Sequence, residues 1–347
     1  MEINEANSRL EQNLCDKIFN KYLKIEDQPL LKSLKFLQDL PVTNLFVQKC
    51  KSLEFAESPT NIVKLRLEQC QLISIDGIEA MINLKLLKIC SQEKLDFHCI
   101  QHLTRLNKLY LGNNNITDIS FLKPLVNLRD LSLSCNNLGT LSTIQNLQYL
   151  KNLTILDLAQ TEISNISNLS NLVNLTDLYL WDNYISDIYP LSNLKRLRSV
   201  ELGENSVVNI FPLQNLPLEE LYLANNKIVN INPITSLKSL KSANLSENFI
   251  IDLQPALTHS NAQKLYINDQ NEPETKLILL SLRIQIIYEQ NEILNSSNKK
   301  FKRIRITHFK FYRNVRKIAL RANLINEQFG NVVVALFLTL SEGDDIQ

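Results

Sequence analysis

Residues 106–125 read LNKLYLGNNNITDISFLKPL, and residues 175–191 read LTDLYLWDNYISDIYPL. Laid over one another they share the frame L-x-x-L-x-L-x-x-N-x-I-x-x-I-x-x-L. The frame recurs from Leu128 (LRDLSLSCNNLGTLSTI), Leu153 (LTILDLAQTEISNISNL), Leu197 (LRSVELGENSVVNIFPL), Leu218 (LEELYLANNKIVNINPI) and Leu240 (LKSANLSENFIIDLQPAL). Degenerate copies extend to Leu84, Ile62 and Val42 upstream and to Ala262 downstream, eleven units in all. The dominant step is 22 residues, and a fixed period of that size marks a solenoid.

Within each unit the x-L-x-L-x stretch has period two, so its leucines point one way from a short strand. The later apolar positions, Ile116, Ile119, Leu122 and Leu125 in one unit, close the coil from the other side. The ninth-position asparagines (Asn114, Asn136, Asn183, Asn205, Asn226, Asn248) fall where the chain leaves the strand. There a side-chain amide can bond backbone groups of the neighbouring coil that would otherwise go unpaired. Cys50 and Cys70 take the same slot, as turn fillers rather than redox groups. A single unit cannot bury its own apolar face, so stability comes from stacking. Three steps depart from 22: Val42 to Ile62 is 20, Leu128 to Leu153 is 25, and Leu197 to Leu218 is 21. The extra length is expected near Gln145–Lys151 and the missing residue at Pro217.

This frame resembles the leucine-rich repeat. The ending Ile185-x-Asp187-Ile188-x-Pro190-Leu191 is similar to its 22-residue subclass, to which the leucine-rich regulatory subunit of protein phosphatase 1 and the bacterial internalins belong. The resemblance implies an α/β leucine-rich-repeat solenoid, with a curved parallel sheet on the concave side and 3-10 turns or short helices on the convex side. The expected organisation is a helical N-terminal cap over 1–40, repeats over 41–271, a C-terminal cap over 272–290 and a basic tail or appended element over 291–347. Ser8–Leu23 reads as an amphipathic helix through Leu10, Leu14, Ile18 and Tyr22, with a second short helix over Leu30–Leu40. Glu274–Leu282 reads as a helix and Arg283–Tyr288 as a last strand.

The net charge of +1 conceals an asymmetry. Residues 299–321 hold ten Lys/Arg and no acid, whereas residues 1–298 hold 27 bases against 32 acids. The basic segment interleaves Phe, Ile and Tyr. It reads first as a helix docked on the acidic body or as a solvated tail; its functional reading is a nucleic-acid or membrane-surface arm. The N-terminus has no apolar run of the secretory kind, and the longest candidate membrane segment, Val332–Leu340, is half the necessary length. The six cysteines form no CxxC pair, which fits free thiols. Together these features point to the cytoplasm, with the nucleus as an alternative. Sequons at Asn115, Asn152 and Asn174 follow from an Asn-rich composition.

Phosphate-binding, zinc-protease and nucleophile-elbow motifs are all missing, so no catalysis and no cofactor is expected. His98 and His102, four apart around Cys99, could form a metal pair on a helical turn, but a polar convex loop is the better reading. With leucines inward, the intervening residues line the concave face. Proposed protein-binding positions are Tyr110, Asp157, Asp177, Tyr179, Trp181, Asp182, Glu201, Glu204, Tyr222, Asn225, Asn244, Glu247, Tyr266 and Asp269. The charge along this face runs from basic at the N-terminal end to acidic from Asp157 onward. Aromatic anchors flanked by small residues suit a protein partner with a basic or mixed-charge surface. The resemblance adds a phosphatase catalytic subunit as one such partner; a small-molecule substrate is not expected.

Overall fold

The computed structural model describes residues 11–28, 31–50, 53–92, 95–139, 144–258, 262 and 264–267. They form one parallel sheet of twelve strands whose spatial order is the order of the chain. The strands are β1 (Tyr22–Glu26), β2 (Asn44–Gln48), β3 (Lys64–Glu68), β4 (Leu86–Cys90), β5 (Lys108–Tyr110) and β6 (Asp130–Ser132). They continue as β7 (Ile155–Asp157), β8 (Asp177–Tyr179), β9 (Ser199–Glu201), β10 (Glu220–Tyr222), β11 (Ser242–Asn244) and β12 (Lys264–Tyr266). Short 3-10 turns such as Ser120–Leu122, Ser167–Asn171 and Tyr189–Asn193 make the opposite side of the coils. This is the expected architecture: a curved parallel sheet lines the concave side and 3-10 turns the convex side.

The core runs the length of the stack as one apolar column from Leu14 to Ala256. Each strand alternates, so Leu65 and Leu67, or Leu221 and Leu223, are fully buried while the residues between them face out. Ile116, Ile119, Leu122 and Leu125 are buried from the other side, as the frame requires. An Asp or Asn caps many of the turns: Oδ1 of Asp118, Asp187 and Asn209 accepts from the amide two residues on at the start of a 3-10 turn, and that of Asp252 does the same for the short α-helix Gln254–Thr258, at 2.8 to 2.9 Å. That explains the Asp of the I-x-D-I motif. The prolines that follow in three turns (Pro190, Pro212, Pro233) occupy first-turn positions where no N–H is needed.

Three expectations change. The helix expected over Ser8–Leu23 is helical only at 11–15 among the described residues, and Tyr22 and Leu23 instead open β1. β1 pairs with β2 in full register, Leu23 opposite Leu45, and begins 22 residues before it. From Tyr22 onward the chain thus obeys the repeat period and adds a coil, with the helical residues 11–15 ahead of it. The short helix expected over Leu30–Leu40 is the 3-10 turn Lys35–Leu37 of that coil. Finally, the three extra residues between β6 and β7 lie between Leu138 and Ile144, ahead of the turn Gln145–Tyr149 rather than within Gln145–Lys151. The buried Leu147, Leu150 and Leu153 after it keep the ordinary spacing of three. The helix at Glu274–Leu282, the strand at Arg283–Tyr288, the basic segment 299–321, Val332–Leu340 and Asp269 lie outside the described residues.

Candidate protein-binding face

The ninth-position asparagines hold the coils together. Asn183, 5% exposed, donates to the Leu158 carbonyl of the preceding coil (2.8 Å) and to the Leu180 and Trp181 carbonyls of its own (3.1 and 3.2 Å). Its Oδ1 accepts from the Thr161 and Ile163 amides at 3.1 and 3.0 Å. Asn136 and Asn248 repeat the reach to the preceding coil, to Leu111 and Leu223. The slot also takes residues with shorter or longer reach. Thr161 donates to the Leu158 carbonyl at 2.7 Å, and Gln92 accepts from the Leu72 amide at 2.9 Å. Cys50 and Cys70 donate their thiols to backbone carbonyls, and burial pushes the Cys50 thiol up to about 11, consistent with inert filling. A second asparagine column, three residues ahead of β4, β6, β7 and β8, links successive coils through Asn83, Asn127, Asn152 and Asn174, each donating to a carbonyl of the coil before. The recurrent Asn-Leu dipeptide was its sequence signal. Asn152 and Asn174 are sequon asparagines, and their amides are thereby engaged.

Just before the ladder slot, the chain turns off each strand through a left-handed residue. Asp27, Lys49, Gln69, Ser91, Asn113, Cys135, Gln160, Asp182, Glu204, Asn225 and Glu247 all have φ between 52° and 63°. None is glycine, although this region disfavours other residues. What compensates is a bond to the next coil, as in Asp182 N–H to the Gly203 carbonyl (3.0 Å) and Glu204 N–H to the Ala224 carbonyl (2.8 Å).

These constraints place the proposed binding residues. Tyr110, Ser132, Asp157, Tyr179, Glu201, Tyr222, Asn244 and Tyr266 stand opposite one another in unbroken Cα register from β5 to β12. Asp177 lies one column earlier, opposite Ser199, which in turn stands opposite Glu220. Glu220, which the sequence alone does not single out, joins this column through the position before the first strand leucine. Trp181 lies one column later and is half-buried. Its indole covers Gly203 of the next coil closely enough that a Cβ there would meet Cδ1 at 3.0 Å. Asp182, Glu204, Asn225 and Glu247 occupy the left-handed corner, at the margin of the sheet.

Several of these groups are already engaged. The Tyr110 hydroxyl donates to Asp130, which also takes Lys108 Nζ at 3.1 Å, so Tyr110 is tied into the sheet. Asp157 accepts from Ser132 Oγ (2.7 Å) and from the Ala159 amide (3.1 Å), Asp177 from Thr176 Oγ1 (2.6 Å), and Asp182 from Gln160 Nε2 (3.0 Å). Those contacts hold carboxylates without supplying positive charge.

The two ends of the face differ in how their charges are compensated. At the N-terminal end three lysines are paired within the sheet, Lys24 with Glu26 (2.5 Å), Lys88 with Glu68 (2.6 Å) and Lys108 with Asp130 (3.1 Å), whereas Lys64 and Arg66 of β3 have no ion pair among the described residues. Among the described residues, no ion pair reaches Asp157, Asp177, Asp182, Glu201, Glu204, Glu220 or Glu247. Burial, and secondarily Asp157, raises the Glu201 carboxyl above its ordinary range. Burial followed by Asp177, Glu201, Glu220 and Asp157 raises the Tyr179 hydroxyl.

His98 and His102 do not form a metal pair. They lie on a 3-10 turn, where residues four apart are rotated by about 120°. His98 instead approaches Asp96 (2.8 Å) and Asp118 (3.7 Å). Among the described residues no cluster of three metal-ligating side chains occurs, and no helix is long and apolar enough to cross a membrane.

Repeat frame, parallel ladder and asparagine slots define the class: the chain is a leucine-rich-repeat protein. The family model for leucine-rich repeats matches residues 104–149 and 151–193. No curated protein sequence matches. A leucine-rich-repeat protein of Leptospira interrogans is 22% identical, with 76% of this chain and 82% of that one covered and a TM-score of 0.52. TLR13, solved with ssRNA13, is 22% identical over 72% of this chain and 40% of its own, with a TM-score of 0.59. Internalin C2 of Listeria monocytogenes is 33% identical over 61% of this chain and 81% of that one; its TM-score of 0.49 is too low to carry weight. Leucine-rich-repeat proteins generally work by holding other proteins, and no catalytic family is indicated.

Proposed function

We propose that the chain is a non-catalytic scaffold whose concave face, from β7 to β11, holds a partner protein through a basic surface. The observation that carries this reading is the uncompensated charge. Seven carboxylates on and beside this stretch lack a cation among the described residues, while Lys24, Lys88 and Lys108 of the N-terminal strands are each paired with a carboxylate. Tyr179, Trp181 and Tyr222 stand among those carboxylates and offer broad, rigid contact area at small entropic cost. The same charge disfavours nucleic acid here: phosphates would be repelled by the face a partner must enter. TLR13 carries RNA in its solved complex, but at 22% identity it shares only the fold.

Affinity capture with the full chain, read by mass spectrometry, identifies candidate partners. Replacing Trp181, Glu201 and Tyr222 together by Ala should abolish capture while the circular-dichroism spectrum of the solenoid persists. Undiminished capture by the folded triple variant removes the reading.

A further inference from the structure

Glu201 lies at the centre of the acidic stretch. Its Cα is opposite Tyr179 on β8 and Tyr222 on β10, so a phenol ring flanks the carboxylate on each side at about the 4.8 Å strand spacing. Two residues along β9, Gly203 leaves the space over which the Trp181 indole lies. The next column is otherwise small (Ser134, Ala159, Ala224, Ser246), which leaves headroom above the three rings. Glu201 is half-buried, yet among the described residues it has no ion pair and no side-chain hydrogen bond. Its neighbours Asp157 and Asp177 differ, since each accepts from a hydroxyl. A partly desolvated carboxylate without a donor is unfavourable until a cation arrives.

We infer that Tyr179, Glu201, Tyr222 and Trp181 form a receptor for an arginine side chain presented by an extended basic segment of the partner. This rests on the concave face being the binding surface, and it names the chemistry that would anchor there. A guanidinium satisfies each wall of the site. Its planar face stacks on the rings, and its fork of N–H groups matches the Glu201 carboxylate. It is also more weakly hydrated than an ammonium, so entry between rings strips less water. A lysine would meet the charge but neither the plane nor the fork. Glu220, Asp177 and Glu204 surround the site and receive basic residues on either side of that arginine. The pKa of Glu201, raised first by burial, accords with a carboxylate awaiting a counter-ion.

The test uses the full chain with blocked hexa-arginine and hexa-lysine peptides at 150 mM salt. Binding is read from Trp181, the sole tryptophan of the chain. Hexa-arginine should bind at least about fivefold more tightly than hexa-lysine and shift the Trp181 emission. Glu201→Gln should weaken hexa-arginine about tenfold and erase the preference. Glu247→Gln removes the same charge at the sheet margin and should weaken both peptides alike. Tyr222→Leu, which changes no charge, should also erase the preference, so the inference does not hang on one variant. Equal affinity for the two peptides, or identical effects of E201Q and E247Q, overturns the arginine site and leaves the scaffold reading standing. Binding of neither peptide, together with undiminished partner capture by the triple variant, removes both.

Discussion

Replacing Asn183 by Ala should cost far more than its size implies, because the side chain joins two coils. The substitution strands the Thr161 and Ile163 amides of the preceding coil, which it reaches at 3.1 and 3.0 Å, while the Leu158 carbonyl keeps the Thr161 hydroxyl at 2.7 Å. Each buried backbone group left without a partner costs about 1–3 kcal/mol. Two such groups, reduced somewhat if water enters the vacated space, give a loss of about 2–4 kcal/mol. In a solenoid this loss falls on the junction between the β7 and β8 coils rather than being spread over the stack. Thr should recover part of it: at position 161 a threonine donates to its own turn at 2.7 Å, but it has no reach to the preceding coil. The assay is urea unfolding followed by circular dichroism for the whole stack and by Trp181 emission for the junction. Asn171→Ala, at an exposed turn residue, is the control and should change stability by less than about 0.5 kcal/mol. If Asn183→Ala costs under about 1 kcal/mol, or no more than the control, the amide does not couple the coils and the reasoning fails.

Gln69 holds a φ of 52°, so Gln69→Gly should raise stability by about 1 kcal/mol; a fall in the urea midpoint would show that the left-handed corner carries no strain. Gly203→Ala would bring a Cβ to 3.0 Å from Trp181 Cδ1. It should therefore displace the indole, visible as a shift in emission and as weaker partner capture, with the urea midpoint little changed. Glu201→Gln should stabilise the folded chain at pH 7. In the native chain Glu201 keeps its proton to higher pH than the ordinary 4.5, so the folded state binds more protons across that interval and stability falls as pH rises through it. The advantage of the variant should accordingly shrink as the pH is lowered toward 4, and an advantage independent of pH would count against desolvation as the cause. Leu23→Asp should destabilise the N-terminal coils, since Leu23 is fully buried on β1; an unchanged urea transition would mean that β1 is not part of the stack.

Much of this molecule was legible in one dimension, because a repeat writes its fold into a period. The spacing of Leu109, Leu111, Asn114, Ile116, Ile119 and Leu122 gives strand, turn and closing face, and stacking then requires the same position of every coil to meet its counterpart. The column from Tyr110 to Tyr266 therefore followed from counting alone. The period also held over Tyr22–Glu26, but the first coil lacks the ladder asparagine and its leucines fit helical spacing as well; only pairing with β2 decided for a strand. Gln92 and Thr161 escaped notice for a similar reason, since the slot selects any group that can bridge nearby carbonyls and amides.

What the sequence alone determined is the order of the coils and the membership of each column, since these depend only on periodicity. Which members are free to act was decided by tertiary structure. Tyr110 and Tyr179 are the same residue at the same position, yet the first is bonded to Asp130 and the second is surrounded by Asp157, Asp177, Glu201 and Glu220. The acidic residues after Asp157 are ordinary in composition. They become a distinct surface only because no lysine of the neighbouring strands folds within reach, whereas Lys88 and Lys108 find Glu68 and Asp130. Charge compensation depends on distances between coils, and a linear chain carries no record of those until it stacks.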